Sequence, residues 1–255
     1  MVAATIRARY KIAERKSTID TFMDPARIAE LLEPFFNASD RRLTANDLHN
    51  ISTYIDLLLR WNARVNLTAI RDPEDIVTRH FGESLFAARH LFPHRENVGT
   101  ASSNPIRLAD LGSGAGFPGV PIKLWAPQID LTLIESNHKK AAFLREVARA
   151  LTLTSVNVRA VRAQALNTAF DVVTLRAVER FDTILRTAAN LVSPGGRMAL
   201  LIGSSQLSQV REILADLPAF QPVLPIQAIP VPQSTNRTLA IVPRESTPQD
   251  GKHHL

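Results

Sequence analysis

Between residues 106 and 202, short apolar runs alternate with amphipathic stretches. Arg107 to Leu111, Leu131 to Glu135, Val156 to Val161, Asp171 to Leu175 and Met198 to Ile202 read as buried strands. Helical patterns lie near Val120, Lys140, Ile184 and Ser208. Repetition of strand and helix predicts a parallel sheet with helices on both faces. After Ser208 the rhythm changes, and Val223 to Val231 and Thr238 to Val242 predict two closing strands, a terminal antiparallel pair.

Upstream the period is helical. Three start signals stand out: Asp24-Pro25, Thr44 with Asp47 three residues on, and Asp72-Pro73-Glu74. Leu48, Ile51, Ile55, Leu58 and Leu59 recur at helical spacing in the second, as do Ile76, Leu85 and Phe86 in part of the third, so these faces are expected to dock on the sheet. The stretch from Glu96 to Pro105, rich in Gly, Ser, Thr and Asn, reads as a loop. The expected organisation is a helical preface over 23–95, a body over 106–243 and a flexible tail over 244–255.

Composition narrows the chemistry. The 255 residues contain no cysteine, which removes disulfides, thiolate metal sites and thiol nucleophiles. The histidines show no metal-ligand spacing, so no metal is expected. Neither a secretory signal nor a run of roughly 20 apolar residues is evident, which predicts a soluble cytoplasmic protein without membrane attachment. The net charge is +6, yet Arg7, Arg9, Lys11, Arg15 and Lys16 against Glu14 and Asp20 place +3 of it in residues 1–22. That segment reads as a flexible basic arm, and Met23 before Asp24-Pro25 would also begin the first helix cleanly.

The most informative stretch is Asp110-Leu-Gly-Ser-Gly-Ala-Gly-Phe-Pro-Gly119, a glycine-rich turn between a strand and a helix. Gly112, Gly114 and Gly116 allow the backbone to turn tightly and approach a ligand. The spacing also satisfies the dinucleotide fingerprint, with Glu135 near the distance of its ribose-binding acid. Asp110 and the prolines at 118 and 121 favour S-adenosylmethionine, because an acid beside a pyrophosphate is repelled whereas one near a sulfonium and an ammonium is attracted.

Strand order then places further candidates. Glu135, at the end of the second strand, would accept the ribose hydroxyls. Ala163 and Gln164, after the third, would read the adenine edge, and Arg176, ending the fourth, would direct a cation toward the crevice where donor and acceptor meet. Ser193-Pro194-Gly195-Gly196 reads as a turn before the fifth strand.

Several motifs together resemble the bacterial small-subunit (16S) ribosomal RNA guanine-N7 methyltransferases, the RsmG or glucose-inhibited division protein B family. They are Trp61-Asn62 with Asn66-Leu67-Thr68, Arg79-His80 with Ser84, the Asp110 to Gly119 loop, Lys139-Lys140 with Phe143-Leu144-Arg145, Arg176-Ala177, and Arg237 before Leu239. The resemblance spans about Leu48 to Val242. It implies a class I S-adenosylmethionine-dependent methyltransferase fold, α/β and Rossmann-like, with a seven-stranded mostly parallel sheet and an N-terminal helical preface. It further implies cofactor contacts at Gly112, Phe117, Ala163, Gln164 and Arg176, with Arg176 as the catalytic candidate.

Candidate RNA contacts are Arg79, His80, Lys139, Lys140, Arg145 and Arg237, each a point charge or fork for phosphate or a base edge. The implied partner is 16S ribosomal RNA or the small subunit, and the enzyme is expected to act as a monomer. Two departures stand out. Ile202-Gly203 replaces the family's usual Lys-Gly, removing one expected positive contact to RNA, and Glu83 replaces the usual Asp before Ser84. A methyltransferase acting on a small molecule or protein, and an NAD-dependent oxidoreductase, are the alternative readings.

Overall fold

A computed structural model describes residues 23–93, 104–176, 180–220 and 226–246. The expected basic arm, most of the 96–105 loop and most of the tail lie outside the described residues, as do 223–225 of the penultimate strand.

Each predicted helix start is made as the sequence demands. Helix α1 (Pro25–Leu32) is capped by Asp24, whose side chain accepts from the Ala26 amide. Helix α2 (Ala45–Val65) opens on a reciprocal capping box between Thr44 and Asp47. Asp72 caps α3 (Pro73–Asp75), which continues through a π-helical segment, Ile76–Gly82, into α4 (Glu83–Leu91). The apolar period did not announce the π segment.

The body follows as β1 (Arg107–Leu111), α5 (Gly119–Trp125), β2 (Asp130–Ile134), α6 (His138–Ala150), β3 (Val156–Arg159), β4 (Phe170–Arg176), α7 (Phe181–Leu191), β5 (Val192–Gly203), α8 (Leu207–Ala215), β6 (Gln227–Pro230) and β7 (Arg237–Pro243). The strands form one sheet in the order β3-β2-β1-β4-β5-β7-β6. The first five pair in parallel, while β7 runs antiparallel to both neighbours. This is the class I methyltransferase arrangement, and it bears out the expected closing antiparallel pair.

Period-2 alternation sorts the core. Leu108, Val172, Leu201 and Leu239 face the cluster formed with the N-terminal helices and α5 and α6. Ala109, Val173, Leu200 and Ala240 face the opposite cluster with α7 and α8. Two contacts seat the N-terminal helices on the body: Trp125 donates its indole N–H to the Phe92 carbonyl at 2.9 Å, and Arg197 reaches the Leu91 carbonyl at 2.7 Å.

Boundaries shifted for physical reasons. Strand β3 stops at Arg159 rather than Val161 because its one partner, β2, ends opposite it at Ile134. Glu135 lies just past β2, and its amide still donates to the Arg159 carbonyl at 3.1 Å. The Ser193–Gly196 turn falls inside β5: Val192 pairs with Phe170 and Arg197 with Val172, so the four residues between bulge out.

Candidate active site

Strands β1 and β4 lie side by side at the centre of the sheet and present Asp110 opposite Thr174. Asp110 is 1% exposed; Thr174 donates its hydroxyl to Oδ1 at 2.8 Å and the Gly119 amide approaches Oδ2 at 3.3 Å. Burial pushes this carboxyl up to about 6. Thus the acid expected beside the cofactor is turned inward, where it braces the start of α5.

The glycine loop is tied to β2. Amides of Gly112 and Ser113 both donate to the Ile134 carbonyl, and the Gly114 amide donates to Glu135 Oε2 at 2.9 Å. Glu135 Oε1 accepts from the Asn137 amide at 2.7 Å. The loop's outer wall comes from the N-terminal helices. Tyr54 of α2 donates its hydroxyl to the Ala115 carbonyl and stacks on Phe117 with centroids 5.3 Å apart. His80 stacks on the same ring at 4.7 Å, and Phe81 meets it edge-on at 5.1 Å.

Beyond His80 opens a cleft of about 570 Å³ lined by Thr68, Arg79, Glu83, Arg176, Asn236 and Arg237 among others. Glu83 is its anionic centre: its Oε2 lies 3.1 Å from Arg176 and 3.2 Å from Arg237. Arg176 also donates to the Arg79 carbonyl at 2.6 Å. The Glu83 amide donates to the His80 carbonyl, three residues back, where the π segment gives way to α4. Burial lowers the Arg176 guanidinium to about 10, against the support of Glu83, so it remains a cation.

The family described as rRNA small subunit methyltransferase G (GidB) matches residues 47–221. Ribosomal RNA small subunit methyltransferase G of Xylella fastidiosa (strain 9a5c) is 39% identical over 194 residues, 75% of this chain and 84% of that one. The chain belongs to this family. The Stenotrophomonas maltophilia (strain K279a) protein of the same name is 39% identical over 210 residues, covering 82% of this chain and 91% of that one. Among solved structures, a ribosomal protein L11 methylase from Lactobacillus delbrueckii subsp. bulgaricus is similar at a TM-score of 0.48 and 14% identity, covering 64% and 79% of the two chains.

Set against the family's expected site, the structure brings Arg79, His80, Arg176 and Arg237 to one cleft and Gly112, Gly114, Gly116, Phe117 and Glu135 to one loop. Ala163 and Gln164 form a 3-10 turn after β3, the first buried and the second exposed. Lys139, Lys140 and Arg145 are on α6 and do not line the cleft.

His80 is held uncharged in this cleft. Burial, then the charges of Arg176 and Arg79, push its imidazole down to about 3, so it is neutral near pH 7. Its Nε2 lies 2.8 Å from the Thr68 hydroxyl oxygen. The Thr68 segment is held in turn by Asn62, whose Oδ1 accepts from the Leu67 and Thr68 amides and whose Nδ2 donates to the Thr68 carbonyl. Ile202 is 3% exposed and packs among core residues, so the side chain at this position does not reach the cleft.

Tyr54, Asn62, Thr68 and Thr174 were not assigned roles from sequence. A signal for Tyr54 was available: it falls on the apolar stripe of α2, and a tyrosine buried there needs a partner for its hydroxyl. No group of three or more His, Asp or Glu among the described residues is placed to hold a metal, and no helix among them is long and apolar enough to cross a membrane.

Proposed function

We propose that this chain transfers the methyl group of S-adenosylmethionine to N7 of a guanine in small-subunit (16S) ribosomal RNA. The observation that carries the reading is the His80–Phe117 stack, which makes one wall serve both the glycine loop and the arginine-lined cleft. Donor and acceptor sites therefore adjoin.

The loop fits the cofactor by its donor set. A carboxylate offers about four lone-pair positions. Glu135 spends two on the Gly114 and Asn137 amides, which leaves two for the ribose hydroxyls. Gly112, Gly114, Gly116 and Phe117 would border the amino-acid portion, Ala163 and Gln164 the adenine, and Asp110 would act by holding the loop's exit. When bound, the cofactor supplies an electrophilic sulfonium methyl.

Guanine N7 carries an in-plane lone pair and no proton, so the chain need supply no general base. Its residues contribute by aligning the acceptor. Methylation leaves the guanine positively charged. Glu83 between Arg176 and Arg237, together with the uncharged His80, limits the repulsion that bare cations would impose.

We assign residues 23–95 as the helical preface and 106–243 as the methyltransferase domain, acting as a monomer in the cytoplasm where the small subunit is made. A small-molecule acceptor would favour a closed apolar pocket, whereas this cleft is lined mainly by polar and charged side chains, the acids Asp75 and Glu83 as well as three arginines, with Phe35, Ala69, Ile70 and Pro232 beside them.

The decisive experiment is transfer of labelled methyl to small subunits from a strain lacking the protein, with the modified nucleoside identified by mass spectrometry. N7-methylguanosine at one site, lost in Arg176→Ala, is expected. Binding of S-adenosylmethionine with no labelled ribosomal RNA would sink the substrate assignment.

A further inference from the structure

Helix α6 turns one side to solvent, and its exposed charges are all positive. Lys139, Arg145 and Arg149 occupy exposed positions there, while the helix's one acid, Glu146, is half-buried. From Lys139 to Arg149, ten residue steps, the helix extends about 15 Å along its axis. The positive surface continues onto the edge of the sheet. Arg145 reaches the Val158 carbonyl at 3.4 Å, next to exposed Arg159 at the end of β3, and exposed Arg162 follows.

None of these five side chains forms an ion pair with another described residue. The cleft is arranged differently, since Arg176 and Arg237 there are already committed to Glu83. Of the cleft's three arginines only Arg79 makes no ion pair with a described residue, whereas none of these five cations does.

We propose that the outward side of α6 and the adjoining end of β3, carrying Lys139, Arg145, Arg149, Arg159 and Arg162, dock the ribose–phosphate backbone of the substrate RNA away from the methylated base. The inference rests on the ribosomal RNA reading above. Lysine and arginine side chains spaced along an exposed helix neutralise phosphates without selecting sequence. The surface would supply affinity and orientation, leaving base selection to the cleft. It also gives Lys139 and Arg145 a place in RNA binding that does not depend on the cleft mouth.

The test is the full-length triple variant Arg145→Gln/Arg149→Gln/Arg159→Gln, compared with wild type in binding to 16S ribosomal RNA across a salt series. S-adenosylhomocysteine affinity, measured in parallel, reports that the fold and donor site are intact. The expected result is RNA affinity at least about tenfold weaker at low salt, with the slope of log K against log salt reduced by about two units. The lysine-substituted counterpart, Arg145→Lys/Arg149→Lys/Arg159→Lys, should recover most of both, because the charge is kept.

RNA affinity and salt slope unchanged in the glutamine variant would overturn the proposal. A wild-type protein that labels no ribosomal RNA would fail the functional reading instead. Should the glutamine variant lose S-adenosylhomocysteine binding, the lysine-substituted counterpart decides: weak RNA binding with intact donor binding there also counts against a charge-based surface.

Discussion

Arg176 at the end of β4 lies 3.1 Å from Glu83 at the start of α4, and both side chains are less than 10% exposed. The pair crosses from the sheet to the helical preface and sets the floor of the cleft. Removing one partner of a buried pair strands the other charge, at a cost of about 3–5 kcal/mol. Glu83→Ala should therefore lower stability by about that amount in chemical denaturation, with Arg237 losing its partner as well. Glu83→Asp, which keeps the charge, should lose clearly less. Equal losses in the two variants would show that packing of the longer side chain, rather than the carboxylate, holds the junction.

His80 predicts a pH effect with a definite sign. Its folded value, near 3, lies below the ordinary value of about 6.5, so the unfolded chain takes up the proton first. Its contribution is fully present above about pH 6.5 and declines as pH falls toward 3. In His80→Gln, the loss of stability between pH 7 and pH 5 should be smaller than in wild type. Identical pH profiles from urea titrations would show that the imidazole is not held neutral.

Asp110 acts in the opposite sense. Its folded value, near 6, lies above the ordinary value of about 3.9, so the folded chain holds the proton longer. Stability from this group declines as pH rises from about 4 to about 6. Asp110→Asn should remove that decline and expose the His80 slope more fully between pH 4 and pH 6. An unchanged slope would assign the effect to other groups.

Tyr54→Phe isolates the hydroxyl that meets the Ala115 carbonyl, because the rings stacked on Phe117 are retained. Leaving a buried carbonyl unpaired costs about 1–3 kcal/mol. A fall in stability of that order is expected, with several-fold weaker S-adenosylhomocysteine binding by calorimetry as the loop loosens. Weaker binding without a stability change would place the hydroxyl's influence in the donor site alone.

Gly116 has φ +88°, and a Cβ there would press on the Tyr54 hydroxyl while approaching Leu144 and Val120 at 3.0 Å. Gly116→Ala should therefore abolish donor binding and lower the melting temperature, whereas Gly114→Ala, with only the Gly112 carbonyl at 3.7 Å, should meet backbone strain alone and lose less. Comparable losses at the two positions would mean that positive φ, not the tyrosine brace, dominates.

The local pattern of the chain was enough to establish the alternation of strands and helices, the antiparallel close, the caps at Asp24, Thr44 and Asp72 and the glycine loop after β1. Each is governed by residues near one another in sequence: side-chain period, capping oxygens and glycine tolerance of positive φ. Arg176 was legible as a strand-end cation for the same reason, since it directly follows a buried run. What it touches was not. Its partners Glu83 and Arg79 are more than 90 residues away, and their meeting depends on how the preface docks and on a π turn that the apolar period does not encode.

Tertiary packing likewise decided the chemistry of individual groups. Asp110 and His80 look like ordinary titrating residues in sequence, yet burial moves one up and the other down. Lys139, Lys140 and Arg145 are candidate RNA contacts in the sequence, and the helical phase of α6 turns Lys139 and Arg145 to an outer surface away from the cleft. Sequence therefore determined which chemical groups the chain carries and which local elements they belong to. Desolvation and the partner of each charge exist only once distant segments meet, so the structure alone decided which groups face the cleft, which are paired there and which stay exposed on other surfaces.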